Sequence, residues 1–181
     1  ALRGSALSEL PYILRILLED STTPGRILDR VDQPLKFLTL PRTPGEQDWV
    51  TTVGARFAAG RRPVFMLGVN YWPRTTNGRM PDEFTAHWLD SSVFDPDLIR
   101  KDLAQLEEAG INAVSIQYLA PEQAPQLRFF VEEARKLGIW VHLFLPGLDP
   151  LAPDLKRAEQ LIEAADLKNE AQVFALDLAW E

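Results

Sequence analysis

Apolar and polar residues alternate along this chain with two different periods, and the change of period divides it. Near the start, Tyr12, Leu14, Ile16 and Leu18 share one side of an extended segment, with Arg15 and Glu19 on the other. This is the period-two pattern of a half-buried strand. The span 7–19 also admits an amphipathic helix. The turn-rich Ser21-Thr22-Thr23-Pro24-Gly25 and the extended segments Arg26–Val31 and Leu35–Leu40 behind it favour a strand pair. Two strands alone are not stable. Residues 1–45 therefore read as the last hairpin of a β-sandwich plus a linker rich in Pro, Thr and Gly.

From Trp49 to Val64 a small hairpin is expected to lead into Val64-Phe65-Met66-Leu67-Gly68-Val69, a short apolar run that ends in Asn70-Tyr71-Trp72-Pro73-Arg74. Such a run suits a strand buried on both faces, as in a parallel sheet covered by helices. After a long loop the period changes to that of a helix. Asp95-Pro96 is a helix start, Ile99, Leu103 and Leu106 keep helical spacing, and Gly110 ends the helix before the strand Ile111–Tyr118. The pattern recurs with Leu127, Phe130, Val131, Ala134 and Leu137, Gly138, and the strand Ile139–Leu145. A third unit carries Leu155, Ala158, Leu161, Ile162 and Ala165 before the strand Val173–Leu178.

Four strands joined by three helices predict a parallel α/β layout with right-handed crossovers. An open sheet of this kind would leave its first and fourth strands as long, flat edges, which natural proteins avoid. The expectation is therefore the first half, strands 1–4, of a (β/α)8 TIM barrel over residues 46–181, preceded by the sandwich hairpin. A second chain or a further C-terminal segment would complete strands 5–8.

Composition narrows the chemistry. The chain has 181 residues, enough for a real core, and its 46% hydrophobic content is that of an ordinary globular protein. A net charge of −7 argues against nucleic acid and against an anionic membrane surface, both of which call for a basic face. No apolar run approaches the ~20 residues of a membrane span. Zero cysteines remove disulfides and thiolate chemistry, and two histidines leave no histidine-rich metal centre, so neither metal nor cofactor is expected. The amino-terminal Ala-Leu-Arg-Gly-Ser-Ala lacks a signal-peptide pattern and leaves the compartment open.

In parallel sheets ligands sit at the carboxyl ends of the strands. Asn70, Tyr71, Trp72, Arg74 and Tyr118 occupy such ends. Trp72 and Trp180 are suited to stacking on sugar rings. His142, mid-strand, reads as a satisfied core histidine. His87, beside Trp88 and Asp90, is weighed as a solvated loop residue against one lining a cleft.

The order of these pieces resembles the cellulase-like and β-galactosidase-like glycoside hydrolases built on a TIM barrel. The carriers are Gly68-Val69-Asn70-Tyr71-Trp72-Pro73-Arg74, Glu108-Ala109-Gly110-Ile111-Asn112-Ala113-Val114, Leu137-Gly138-Ile139-Trp140-Val141 and Ala175-Leu176-Asp177-Leu178-Ala179-Trp180-Glu181. The resemblance covers about residues 49–181. It implies hydrolysis of O-glycosidic bonds in an oligo- or polysaccharide, with Glu181 at the position of the family's acid/base. A partly protonated carboxyl can protonate a leaving glycosidic oxygen and then deprotonate water. Asp177 shares the strand parity of Glu181 and, if close, would raise its pKa by like-charge repulsion. Trp180 stands where the family has Asn, and strand two, Ser115-Ile116-Gln117-Tyr118, lacks the family's Arg. The family's nucleophile comes from strand seven, so the second carboxylate is expected from outside this chain. The alternative expectations are a barrel that binds glycans or scaffolds an assembly without turnover, and an unrelated open α/β module serving as an interaction subunit. The lack of a glycine-rich phosphate loop after any strand weakens the second.

Overall fold

The computed structural model describes residues 12–35, 45, 49–73, 87–145, 151 and 154–178. The chain divides into two compact units, Ala1–Leu40 and Pro41–Glu181. In the first, β1 (Tyr12–Glu19) pairs antiparallel with β2 (Ile27–Leu35). Ile16 lies opposite Val31, and Arg15 opposite Asp32. Arg15 Nε donates to Asp32 Oδ1 at 2.8 Å, and Arg30 also donates to Asp32. Those hydrogen bonds, Arg30's first, hold the Asp32 carboxyl well below the usual carboxylate range. Both sides of the hairpin remain exposed, from Ile13 and Leu17 on one to Ile16 and Leu18 on the other. The extended candidate Lys36–Leu40 lies outside the described residues.

The second unit holds two sheets. Strands β3 (Val50–Val53), β4 (Arg56–Ala59) and β5 (Arg62–Val64) form an antiparallel meander. Strands β6 (Gly68–Asn70), β7 (Ala113–Gln117), β8 (Trp140–Phe144) and β9 (Val173–Asp177) form a parallel sheet in that order. Phe57 of β4 meets Phe174 of β9 edge-on at 6.2 Å, which ties the meander to the amino end of the parallel sheet.

Three helices connect the parallel strands, each with a readable cause. Helix α1 (Pro96–Glu108) starts where Asp95 Oδ1 accepts from the backbone N–H groups of Asp97 and Leu98, at 3.0 and 3.1 Å. Its residues Ile99 and Leu103 are buried. Helix α2 (Ala124–Lys136) buries Leu127, Phe130, Val131 and Ala134. Helix α3 (Leu155–Ala164) is capped by Asp154, which accepts from Arg157 N at 3.1 Å, and buries Ala158 and Leu161. Gly110 and Gly138 follow α1 and α2 with φ of 79° and 68°. A Cβ there would meet nothing within 4 Å, so what selects glycine is the left-handed backbone.

These findings correct the half-barrel. The nine described strands lie in three separate sheets, two of them antiparallel, and the parallel sheet is open. The argument against an open sheet assumed long, flat edges. Edge strand β6 has three residues, and β9 carries a register shift opposite Val141/His142. Short or irregular edges are among the ways natural proteins tolerate an open sheet. The run 64–69 is likewise not one strand buried on both faces. Val64 belongs to β5, and Gly68–Asn70 is exposed, because an edge strand has a neighbour on one side only. In the first unit the described strands β1 and β2 form the antiparallel hairpin expected there.

Between β5 and β6 the ladder is replaced by one side chain. Asn112 Oδ1 accepts from Leu67 N at 2.7 Å, and its Nδ2 donates to the carbonyl of Phe65 at 2.7 Å. The carbonyl of Leu67 in turn accepts from the N–H groups of Asn112 and Ala113. Asn112→Ala removes both side-chain bonds and is expected to lower stability by about 1–2 kcal/mol in urea unfolding. An unchanged midpoint would show that this segment is held by something else.

Candidate functional site

Period-two alternation gives the parallel sheet two different faces. Val114 and Ile116 of β7, and Val141 and Leu143 of β8, are buried in one core with Ile99, Leu103, Leu127, Phe130 and Leu161 from the helices. The residues between them turn the other way. In register across the sheet run Asn70, Ser115, His142 and Ala175, and one row nearer the carboxyl edge Gln117, Phe144 and Asp177. Asn70 is exposed, while Ser115, Gln117, His142 and Asp177 are half-buried. Ser115 Oγ and His142 Nδ1 are hydrogen-bonded at 2.8 Å. The Phe174 ring lies 6.1 Å from the imidazole and walls the amino side of the pair.

Trp72, two residues beyond Asn70, is 39% exposed. Asn70 and Trp72 therefore lie at the carboxyl end of β6 and Asp177 at that of β9, on opposite edges of the sheet but along the end where parallel sheets bind ligands. Tyr71 and Tyr118 do not join them. The Tyr71 ring is buried against Trp88 (5.6 Å, edge-on) and Phe130 (5.5 Å), and its hydroxyl donates to Asp102 Oδ2 of α1 at 2.9 Å. Burial first, and then the Asp102 charge, push its phenol far above the ordinary range. Tyr118 is fully buried in the same core, and its hydroxyl has no partner among the described residues. Burial, with the Glu122 charge adding to it, pushes this phenol up to about 12. Both follow from parity, since each lies one residue out of step with the polar rows. Arg74, Trp180 and Glu181 lie outside the described residues.

Two elements of the site carry more than their sequence positions suggest. His142 is on the open face and not in the helix-side core. Gln123, only 2% exposed, ties the carboxyl-edge loops together. Its Oε1 accepts from Leu119 N at 2.9 Å, and its Nε2 donates to Asp90 Oδ1 at 2.6 Å. His87 is exposed and pairs through Nδ1 with the same Asp90 at 3.0 Å. The signal for Ser115 and His142 was available: each is the polar residue at the centre of its strand, and they lie 27 residues apart in successive repeats. Gln123 gave none, because its role depends on a loop distant in sequence.

Among the described residues no helix is long and apolar enough to cross a membrane, and no group of three or more His, Asp or Glu side chains gathers to hold a metal ion. Compared with known proteins, the chain matches no family model and no curated protein.

Alkaline titration tests the placement of the tyrosines. A raised phenol pKa means that the folded state keeps its proton where the unfolded state loses it. The stabilisation is intact below about pH 10 and is lost as pH rises through the folded value of about 12 for Tyr118, and still higher for Tyr71. Absorbance at alkaline pH should show both phenols protonated at about pH 11 in the native protein but ionised in urea. Ionisation of Tyr71 and Tyr118 near pH 10 in the folded chain contradicts their burial.

Proposed function

We propose that the protein is a glycoside hydrolase whose sugar-binding surface is the polar face of the parallel sheet at its carboxyl edge. What supports this reading is the row Asn70–Ser115–His142, in register on the polar face of the sheet, with the half-exposed Trp72 two residues beyond Asn70 at the carboxyl end of β6. An indole and an amide are what a sugar ring requires: an apolar C–H face to stack and hydroxyls to bond. The motif Gly68–Arg74 and the segment Ala175–Glu181 add their resemblance to sugar-cleaving enzymes. Tyr71 and Tyr118 then shape the site from behind, as the packing that fixes the ends of β6 and β7.

In this proposal Glu181 is the acid/base. It gives its proton to the glycosidic oxygen as the C–O bond breaks, and its carboxylate then takes a proton from the attacking water. Retention at the anomeric carbon needs a second carboxylate about 5–5.5 Å away. We assign that group to a partner chain or a further segment. The same resemblance proposes Arg74 and Trp180, both outside the described residues, as further sugar contacts.

A second reading, glycan binding without turnover, is favoured by one observation. The central row consists of Asn70, Ser115, His142 and Ala175, with no carboxylate in it. Turnover of unactivated disaccharides separates the two. The enzyme reading expects Glu181→Gln to slow hydrolysis by about 10²–10⁴-fold, since an unactivated leaving oxygen depends on protonation. Hydrolysis unaffected by the substitution overturns the role of Glu181. Binding with no hydrolysis in the complete assembly favours the second reading.

A further inference from the structure

We propose that Asn70 and His142 read the ring hydroxyls of an uncharged sugar, and that Ser115 is the positioning residue fixing which imidazole nitrogen faces the ligand. This deepens the sugar-binding reading above and rests on it. The geometry is a row in register across three adjacent strands, spaced about 4.8 Å apart. The Ser115 hydroxyl, between the amide and the imidazole, is bonded to His142 Nδ1 at 2.8 Å. With Nδ1 engaged, Nε2 is the nitrogen left to meet a ligand, and the hydrogen bond at Nδ1 sets whether Nε2 donates or accepts. Sugar hydroxyls donate and accept, as do an amide and an imidazole, so the row reads a polyol without needing charge.

Charge also selects the class of sugar. In the two polar rows Asp177 is the one ionisable group besides His142, and it is acidic. The whole chain is at −7. Neither row offers a Lys or Arg to pair with a uronate or a sulfate, and a neutral ring needs none.

The test is a glycan array of neutral and acidic oligosaccharides, followed by calorimetric titration of the best neutral binder into the wild-type chain and its variants. Neutral glycans should bind and acidic ones should not. Loss of a ligand hydrogen bond in His142→Phe should weaken binding roughly tenfold. Ser115→Ala should weaken it several-fold, and Ser115→Thr, which keeps the hydroxyl, should restore it. In the unmutated protein the imidazole ¹⁵N resonances of His142 should move on adding the neutral glycan, which guards against a misfolded His142→Phe. Binding confined to acidic glycans, or a neutral glycan that leaves the His142 resonances and the variants' affinities unchanged, overturns this assignment and leaves the sugar-binding reading standing. Failure of every glycan to bind overturns both.

Discussion

The parallel sheet is buried on one face, and the remaining features follow from that constraint. Successive side chains in a strand point to opposite faces, so burying Val114, Ile116, Val141 and Leu143 under the helices sends Ser115, Gln117 and His142 to the other side. Each buried aliphatic side chain contributes about 1.5–3 kcal/mol of transfer free energy, which makes the register expensive to change. A slip of one residue would exchange the faces, putting an imidazole and a hydroxyl into the core and leaving isoleucine and leucine outside. The polar row is therefore held in place by apolar contacts that it does not make itself.

The same alternation explains why neighbouring aromatic residues have opposite fates. Tyr71 turns to the helix side and is locked by Trp88, Phe130 and Asp102, while Trp72 remains accessible. Gln123 and Asp90 then join the loops beyond β6 and β7. Arg157 of α3 adds a bond to the carbonyl of Leu119 at 3.2 Å. Among the described residues, the segment after β7 is thus tied by hydrogen bonds to the Asp90 loop and to α3, and ties of this kind reduce the ordering cost of binding.

Local structure was legible in the sequence where a short-range cause exists. Asp95-Pro96 and the spacing of Ile99 and Leu103 place α1, and Gly110 and Gly138 mark the joints because only glycine takes that backbone readily. What the sequence did not reveal was closure. The barrel was argued from edges assumed long and flat, but strand length at an edge depends on partners, and Asn112 replaces a ladder at Phe65–Leu67 that no local period records. The site was legible in part. The ends of β6 and β9 could be found from their polar residues, whereas the face each side chain takes required the register. Tyr118 read as a ligand contact because it ends a strand, and parity puts it in the core.

The chain contains no cysteine, so single cysteines can map both faces of β7 without background. The most direct measurement is the maleimide labelling rate of Val114→Cys, Ser115→Cys, Ile116→Cys and Gln117→Cys in the folded protein. The account predicts that positions 115 and 117 label in the native state while 114 and 116 react only on unfolding. Equal labelling at all four, or the reverse alternation, would contradict a sheet buried on its helix side and open on the other.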